Sequence, residues 1–278
     1  MFYYWGFVMS TVRQPAVAGA FYHGQKQVLA NDVQTLLEQA RANIDARGLA
    51  PKAIIVPHAG YIYSGPVAAS AYASLYAERD KIKRVVLLGP VHRVAVLGLA
   101  LPGVDEFATP LGNIPVDTEA AAAIENMPQV VVSTAAHAPE HSLEVQLPFL
   151  QAVLGDFKLL PLAVGNATSE EVAQVLNELW GGDETLIVIS SDLSHFHPYE
   201  TAQAIDIETA QEILNLDNTL THEQACGGTP VNGLLLAARQ HHLRPHLLDL
   251  RNSGDTAGDK ASVVGYAAFS FTETDHAH

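Results

Sequence analysis

Short runs in which every residue is apolar alternate along this chain with longer stretches in which apolar residues recur every three or four positions. The runs include Ala53–Val56, Val85–Leu88, "VLGLALPG", "FKLLPLAVG" and Leu186–Ile189. A strand that is apolar at every position has both faces covered. Between the runs, residues 28–47 carry Val28, Val33, Leu36, Leu37 and Ala40 at helical spacing, with Gly48 as a stop. "PVAASAYASLYAE" predicts a second helix and "TEAAAAIEN" a third, capped by Thr118. "TSEEVAQVLNELWGG", capped at Thr168 or Ser169, predicts another, as do "TAQAIDIETAQEILNL" and "GGTPVNGLLLAARQHH". Residues 137–154 predict a loop entering a helix, and "TPLGNIPVD" a turn or hairpin. "RPHLLDLRNSGD" and "ASVVGYAAFSF" predict the last strands. This alternation predicts an α/β fold, a sheet covered by helices on both faces. No linker, repeat or low-complexity stretch divides it, so one domain is expected.

The chemistry concentrates where strands stop. Val56 runs into Pro57-His58-Ala59-Gly60, Leu88 into Gly89-Pro90-Val91-His92, and Ile189 into Ser190-Ser191-Asp192-Leu193-Ser194-His195. In open α/β sheets, sites form at such carboxyl ends. If these strands are parallel neighbours, His58, His92, Asp192 and His195 converge at one edge. Cys226 sits in the Gly-rich "QACGGTPVNG" before a helix, a position that favours a thiolate. Imidazoles with a thiolate suit a divalent transition metal, and the same groups serve acid/base chemistry. "AHAPEHSLEVQLPFL" has two readings. In one, Ser142 caps a helix and the later residues are solvated; in the other, Glu140 and His141 handle protons on a second wall of the pocket. His241 and His242 end a helix and complement its dipole; His137 and His222 are expected at the surface, and His276 and His278 in a mobile tail. "RNSGDTAGDK" reads as a turn. HExxH, CxxC, GxSxG, the P-loop and GxGxxG are all absent.

Composition narrows the classes. Of 278 residues 48% are hydrophobic and only 16% charged, which excludes a disordered or coiled-coil chain. A formal net charge of −15 repels phosphate backbones, so nucleic acid is not an expected partner. Cys226 is the only cysteine, so no internal disulfide forms and a reducing, cytoplasmic setting is expected. "MFYYWGFVMS" is apolar, has no basic flank and is too short to span a bilayer. It predicts a segment packed on the body, or a start at Met9, and no membrane association.

In order, "VAGAFY", "PHAGYIYSGPVAA", "GPVH", "TPLGNIPVD", "EHSLEVQLPFL", "ISSDLSH" and "GGTPV" resemble the MEMO family, and among bacterial proteins the MEMO-like component B of the AmmeMemoRadiSam system. The resemblance runs from about Arg13 to Phe271, leaving residues 1–12 as an N-terminal segment before a single domain over 13–278. It implies a three-layer α/β/α sandwich with a mostly parallel central sheet, related to class III extradiol (LigB-like) dioxygenases. It implies a metal, iron or copper first and zinc after them, held by His58, His92 and Cys226. Asp192 and His195 would line the pocket as catalytic groups, with Glu140 and His141 beside them. AMMECR1-like and radical SAM proteins are the partners it suggests, with a small molecule or peptide in the pocket. Two departures stand out. Extradiol enzymes hold Fe(II) with two histidines and a carboxylate, whereas the third candidate here is a cysteine. Val91 and Arg93 flank His92, which changes the hydrogen bonding around it. Three functions compete: a metal-dependent redox enzyme, a metal-binding or adaptor protein without turnover, and a metal-free hydrolase or lyase using His195 and Asp192.

Overall fold

The computed structural model describes residues 10–43 and 50–273. β1 (Val12–Arg13) leads to α1 (Lys26–Asn43), β2 (Pro51–Val56) and α2 (Tyr61–Ala73). β3 (Arg84–Pro90) precedes three short strands, β4 (Leu99–Leu101), β5 (Glu106–Thr109) and β6 (Gly112–Pro115). Then come α3 (Thr118–Ile124), β7 (Val130–Val132) and the single turn α4 (Thr134–His137). A 3-10 turn, Glu144–Gln146, runs straight into α5 (Leu147–Val153). β8 (Lys158–Val164), α6 (Ser169–Glu178), β9 (Thr185–Ser190), β10 (His195–His197) and α7 (Tyr199–Leu214) follow. α8 (Gly228–Gln240), β11 (Leu243–Asn252) and β12 (Val263–Glu273) complete the chain.

Among the described residues, the large sheet runs β10-β12-β2-β9-β3-β8-β4-β7, with β11 paired along β12. Its centre, β2-β9-β3-β8, is parallel; β12 and β4 join it antiparallel. Alternate residues feed opposite cores. Ile54, Val56, Val85, Leu87, Leu186 and Val188 pack with α1, α2 and α5 on one face. Ala53, Ile55, Val86, Leu88, Ile187 and Ile189 pack with α3, α6 and α8 on the other. That two-sided burial explains the unbroken apolar runs, and the α/β/α class stands. β1, β5 and β6 form a separate small sheet, in which "TPLGNIPVD" supplies the hairpin turn.

Several elements differ from the sequence reading. α2 begins at Tyr61 and carries Pro66 inside it, so part of the expected loop after His58 is helix. α3 is capped by Asp117, whose side chain accepts from Ala120 N, and not by Thr118. α6 has the expected Thr168 cap, completed by Glu171 as a capping box. The 185–195 segment breaks after Ser190 and resumes as the separate β10. Gly48 as a helix stop, the packing of residues 1–9 and the tail histidines lie outside the described residues.

The sharpest difference concerns "EHSLEVQ". Ser142, Glu144 and Gln146 are buried, so the solvated-cap reading fails. A carboxylate inside a protein needs a counter-charge and donors. Glu144 has both: the Arg13 guanidinium, Ala16 N at 2.7 Å, Val17 N at 3.0 Å and Tyr22 Oη at 2.6 Å. This tie docks the strand leading into "VAGAFY" on the sheet end. Glu144→Gln leaves the Arg13 charge buried and unpaired, which costs about 3–5 kcal/mol. Denaturant unfolding is expected to show that loss, and a change under about 1 kcal/mol would contradict it.

His137, expected at the surface, is also buried, because α4 turns it under β4. Its Nε2 lies 2.7 Å from Ala100 O and so carries the proton, while Nδ1 has no partner. Burial pushes its pKa down to about 4, only partly offset by the Ala100 bond. Between pH 6.5 and 4 the unfolded imidazole therefore takes a proton that the folded one refuses. Stability is full above pH 6.5 and is lost as pH falls toward 4. His137→Gln is expected to shrink that acid loss by roughly 2–3 kcal/mol, measured as unfolding free energy at pH 7 and pH 4.5. An unchanged pH dependence would contradict the assignment.

Candidate metal centre

The three strands that end in polar residues are immediate neighbours, with β9 between β2 and β3. Their registers coincide: Val56 pairs with Ser190, and Leu88 with Ile189. Parallel strands in matched register deliver their C-terminal residues to one place. His58 follows β2, Asp192 follows β9, and His92 follows β3.

The buried loop before α5 closes the site. One nitrogen from each of His58, His92 and His141 lies within 4.8 Å of the other two. The rings of His92 and His141 are 4.7 Å apart, and His58 meets each edge-on at 5.3 and 5.5 Å. The Phe21 ring lies 4.9 Å from His141.

The tautomer of His58 follows from hydrogen-bond accounting. Ser190 Oγ gives its one proton to Ser142 O at 2.6 Å. It also accepts from Gln146 Nε2 at 2.8 Å. That amide is fixed because Pro57 O accepts from Nε2 and Tyr72 Oη donates to Oε1. At 2.9 Å from His58 Nδ1, the hydroxyl has only acceptance left to offer, so Nδ1 carries the proton and Nε2 is bare. Burial pushes the His58 pKa down to about 4, with His92 and His141 adding to the shift and Asp192 opposing it. His58 is a neutral ring at pH 7, with Nε2 as its acceptor nitrogen.

Glu140 does the same for His92. Its Oε1 lies 2.9 Å from His92 Nδ1 and accepts from the N–H of His141 and of Ser142. Its Oε2 accepts from His92 N. Burial works against the charge. The His141 and His92 rings and the N–H groups of Ser142 and His92 outweigh it and hold the carboxyl well below the usual range. Facing this carboxylate, His92 Nδ1 donates, which leaves Nε2 as the ring nitrogen open to a metal. His141 Nδ1 is 3.2 Å from the same oxygen but off the hydrogen-bonding direction, and it is otherwise unpartnered.

Asp192 is buried at the floor, with Oδ1 accepting from His58 N at 2.7 Å and Oδ2 4.0 Å from His58 Nε2. Cys226 Sγ lies 3.3 Å from His58 Nε2 and 3.7 Å from Asp192 O, outside the three-histidine group. Its loop comes this close because residue 227 is glycine: a Cβ there would sit 2.7 Å from Ser191 Cβ and 2.8 Å from Ser190 O. Ser191 Oγ also accepts from Gly227 N. The expected thiolate does not result. Burial, with the Asp192 charge, pushes the thiol up to about 12, beyond what the nearby hydrogen bonds offset. Cys226 is a thiol that donates toward His58 Nε2.

His195 opens β10, with Nδ1 donating to Leu193 O at 2.8 Å. It is not one of the three-histidine group. Sequence reasoning placed His141 on a pocket wall but not beside His58 and His92. It also passed over Ser190, Gln146 and Phe21. Ser190 stood inside the polar cluster, and Gln146 and Phe21 stood in quoted motifs. Their roles depend on contacts between distant segments. His222 is exposed, as expected, and His241 stacks on Trp180 at 3.7 Å at the end of α8.

The Nε2 atoms of His58 and His92, a nearby orphaned His141 nitrogen and a displaceable thiol make a donor set that fits a transition metal. The carboxylate that orients His92 is the usual outer partner of such a ligand.

Comparison with known proteins agrees with the sequence motifs. The Memo-like protein family model matches residues 13–270. A MEMO1 family protein of Methanosarcina mazei is 38% identical over 92% of this chain and 98% of its own length. One from Aeropyrum pernix is 37% identical over 92% and 98%. One from Metallosphaera sedula is 34% identical over 94% and 99%. Among solved structures, an uncharacterised protein of Escherichia coli K12 aligns with a TM-score of 0.48 and 13% identity, over 77% of this chain and 98% of that one. Among the described residues no helix is long and apolar enough to cross a membrane. With a matching model over almost the whole chain and relatives above one-third identity, the chain belongs to the Memo-like protein family.

Proposed function

We propose that the protein binds a redox-active transition metal, iron or copper, and acts as a metal-dependent redox enzyme on a small molecule or peptide. The observation that carries this reading is the approach of three histidine nitrogens, from residues 58, 92 and 141, to within 4.8 Å of one another. His58 and His92 are the common ligands. Two readings differ in the third. Cys226 is favoured by its sulfur 3.3 Å from His58 Nε2, and His141 by its place in the cluster. When bound, the metal supplies electron transfer and polarisation of a coordinated oxygen.

The remaining roles belong to the chain. Ser190 and Glu140 hold the two ligand rings by their Nδ1 protons. Phe21 lies against His141, its ring 4.9 Å away. Asp192 fixes the His58 backbone and keeps one carboxylate oxygen toward the pocket. His195, its Nδ1 engaged by Leu193 O, accepts or returns a proton through Nε2. An adaptor without turnover uses the same pocket to hold a ligand; oxygen uptake by the metal-loaded protein argues against it. AMMECR1-like and radical SAM proteins are the proposed partners.

Elemental analysis of protein prepared without oxygen is expected to find about one metal per chain in the wild type and a near-complete loss in His58→Ala. Retained metal in His58→Ala would overturn the site. Cys226→Ala and His141→Ala then separate the two readings, since losing the true third ligand costs roughly 10–100-fold in affinity or more and losing the other costs little. Proton release gives a second test. A Cys226 ligand must shed a proton at pH 7, whereas His58 is already neutral. Titration calorimetry in buffers of different ionisation heat is expected to count about one proton more for wild type than for Cys226→Ala. Equal counts would assign the third position to His141.

A further inference from the structure

The long strand β11 is paired on one side only. Among the described residues its one strand partner is β12, so its outer edge is open. An open edge is a template for another strand unless something blunts it. The first half of β11 is blunted. Pro245 has no N–H to give, and the register with β12 slips between Leu247 and Asp249, which places a bulge at Leu248. The second half has neither feature, and Asp249 to Asn252 pair regularly with Ala268 to Gly265.

The two faces of that half differ. Asp249 and Arg251 lie on the α2 side. There Ser70 Oγ donates to Asp249 Oδ2 at 3.1 Å, and the Arg251 guanidinium pairs with the same carboxylate. Leu250 lies on the α7 side, where with Ile207 and Gln203 it lines a cavity of about 120 Å³. Ile207 is 60% exposed, an apolar side chain that α7 turns to water beside this edge.

We propose that the open half of β11 is an interface with a second copy of this chain, the two strands pairing antiparallel about a two-fold axis at Leu250. Symmetry decides what can face what, because a residue a given number of positions before the axis meets the residue the same number after it on the partner. An axis at Asp249 sets two carboxylates opposite each other, and an axis at Arg251 sets two guanidinium groups opposite each other; both are unfavourable. An axis at Leu250 sets Asp249 opposite the partner's Arg251, and Arg251 opposite the partner's Asp249. Four charges then alternate in sign on one face. On the other face Leu250 meets the partner's Leu250 with Cβ atoms about 5 Å apart, closing over the cavity beside Ile207. A chain of net charge −15 repels its own copy, so an interface between copies needs local charges that cancel, and this register supplies them. No residue of the metal centre takes part, so the interface stands or falls apart from the metal reading.

Sedimentation velocity over about 1 μM to 1 mM protein tests it. Wild type is expected to pass from the mass of one chain to that of two as concentration rises. Asp249→Arg, with two positive side chains on this face, and Arg251→Asp, with two negative, each weaken self-association at least about ten-fold. Mixed together, these two variants are complementary and form a heterodimer about as tight as the wild-type dimer, which also shows that both are folded. Ile207→Lys changes a solvent-facing side chain, leaves the melting temperature unaltered, and weakens the dimer by placing like charges on both sides of the axis. Wild type that keeps the mass of one chain throughout, a dimer that survives both charge reversals, or two monomeric variants that stay apart when mixed overturns the proposal.

Discussion

The segment from Glu140 to Gln146 crosses the end of the sheet largely buried, and its polar side chains other than His141 find partners inside the protein. That requirement organises the whole region. Glu144 takes Arg13, two backbone N–H groups and Tyr22, and so fastens the first part of the chain. Gln146 and the Ser142 carbonyl share Ser190, and Ser142 Oγ bonds Pro90 O, so β9 and the end of β3 are joined by one network. Glu140 closes the series on His92. An unpaired member leaves a desolvated charge or amide, which is why a local change here reaches beyond its own contacts.

The same accounting prepares the site. Hydrogen bonds at Nδ1 take up one nitrogen of His58 and of His92 and leave the other for a metal, while burial keeps His58 unprotonated. A metal ligand needs that state. Cys226 is different, because its thiol is held in the protonated form by burial and by Asp192. Whatever displaces that proton must bring positive charge, and a metal cation does so.

Much of this was legible in the chain. Unbroken apolar runs in β2, β3 and β9 gave strands covered on both faces, and their polar ends marked the site before any pairing was known. What the one-dimensional pattern could not supply was adjacency. Nothing in the spacing of "EHSLEVQ" distinguishes a solvated helix start from a buried polar loop, because the partners, Arg13, Tyr22, Pro57 and Ser190, come from distant segments. His137 was misplaced for the same reason, since a lone histidine among alanines carries no sign of what covers it. The cap of α3 fell to Asp117 and not to Thr118, because both residue types form caps and only the turn geometry separates two neighbours. Cys226 looked poised as a thiolate at a helix start, but its depth, which the sequence does not encode locally, decides the opposite.

The central claim is that oriented histidines at adjoining strand ends hold a metal. A crystal structure of the iron- or copper-loaded protein, with anomalous data at the metal edge, tests it most directly. The account predicts one strong peak bonded to His58 Nε2 and His92 Nε2, with Cys226 Sγ or a His141 nitrogen third and the Nδ1 bonds to Ser190 and Glu140 intact. A fully loaded protein whose only peak lies elsewhere, or one in which His58 binds through Nδ1, would contradict it.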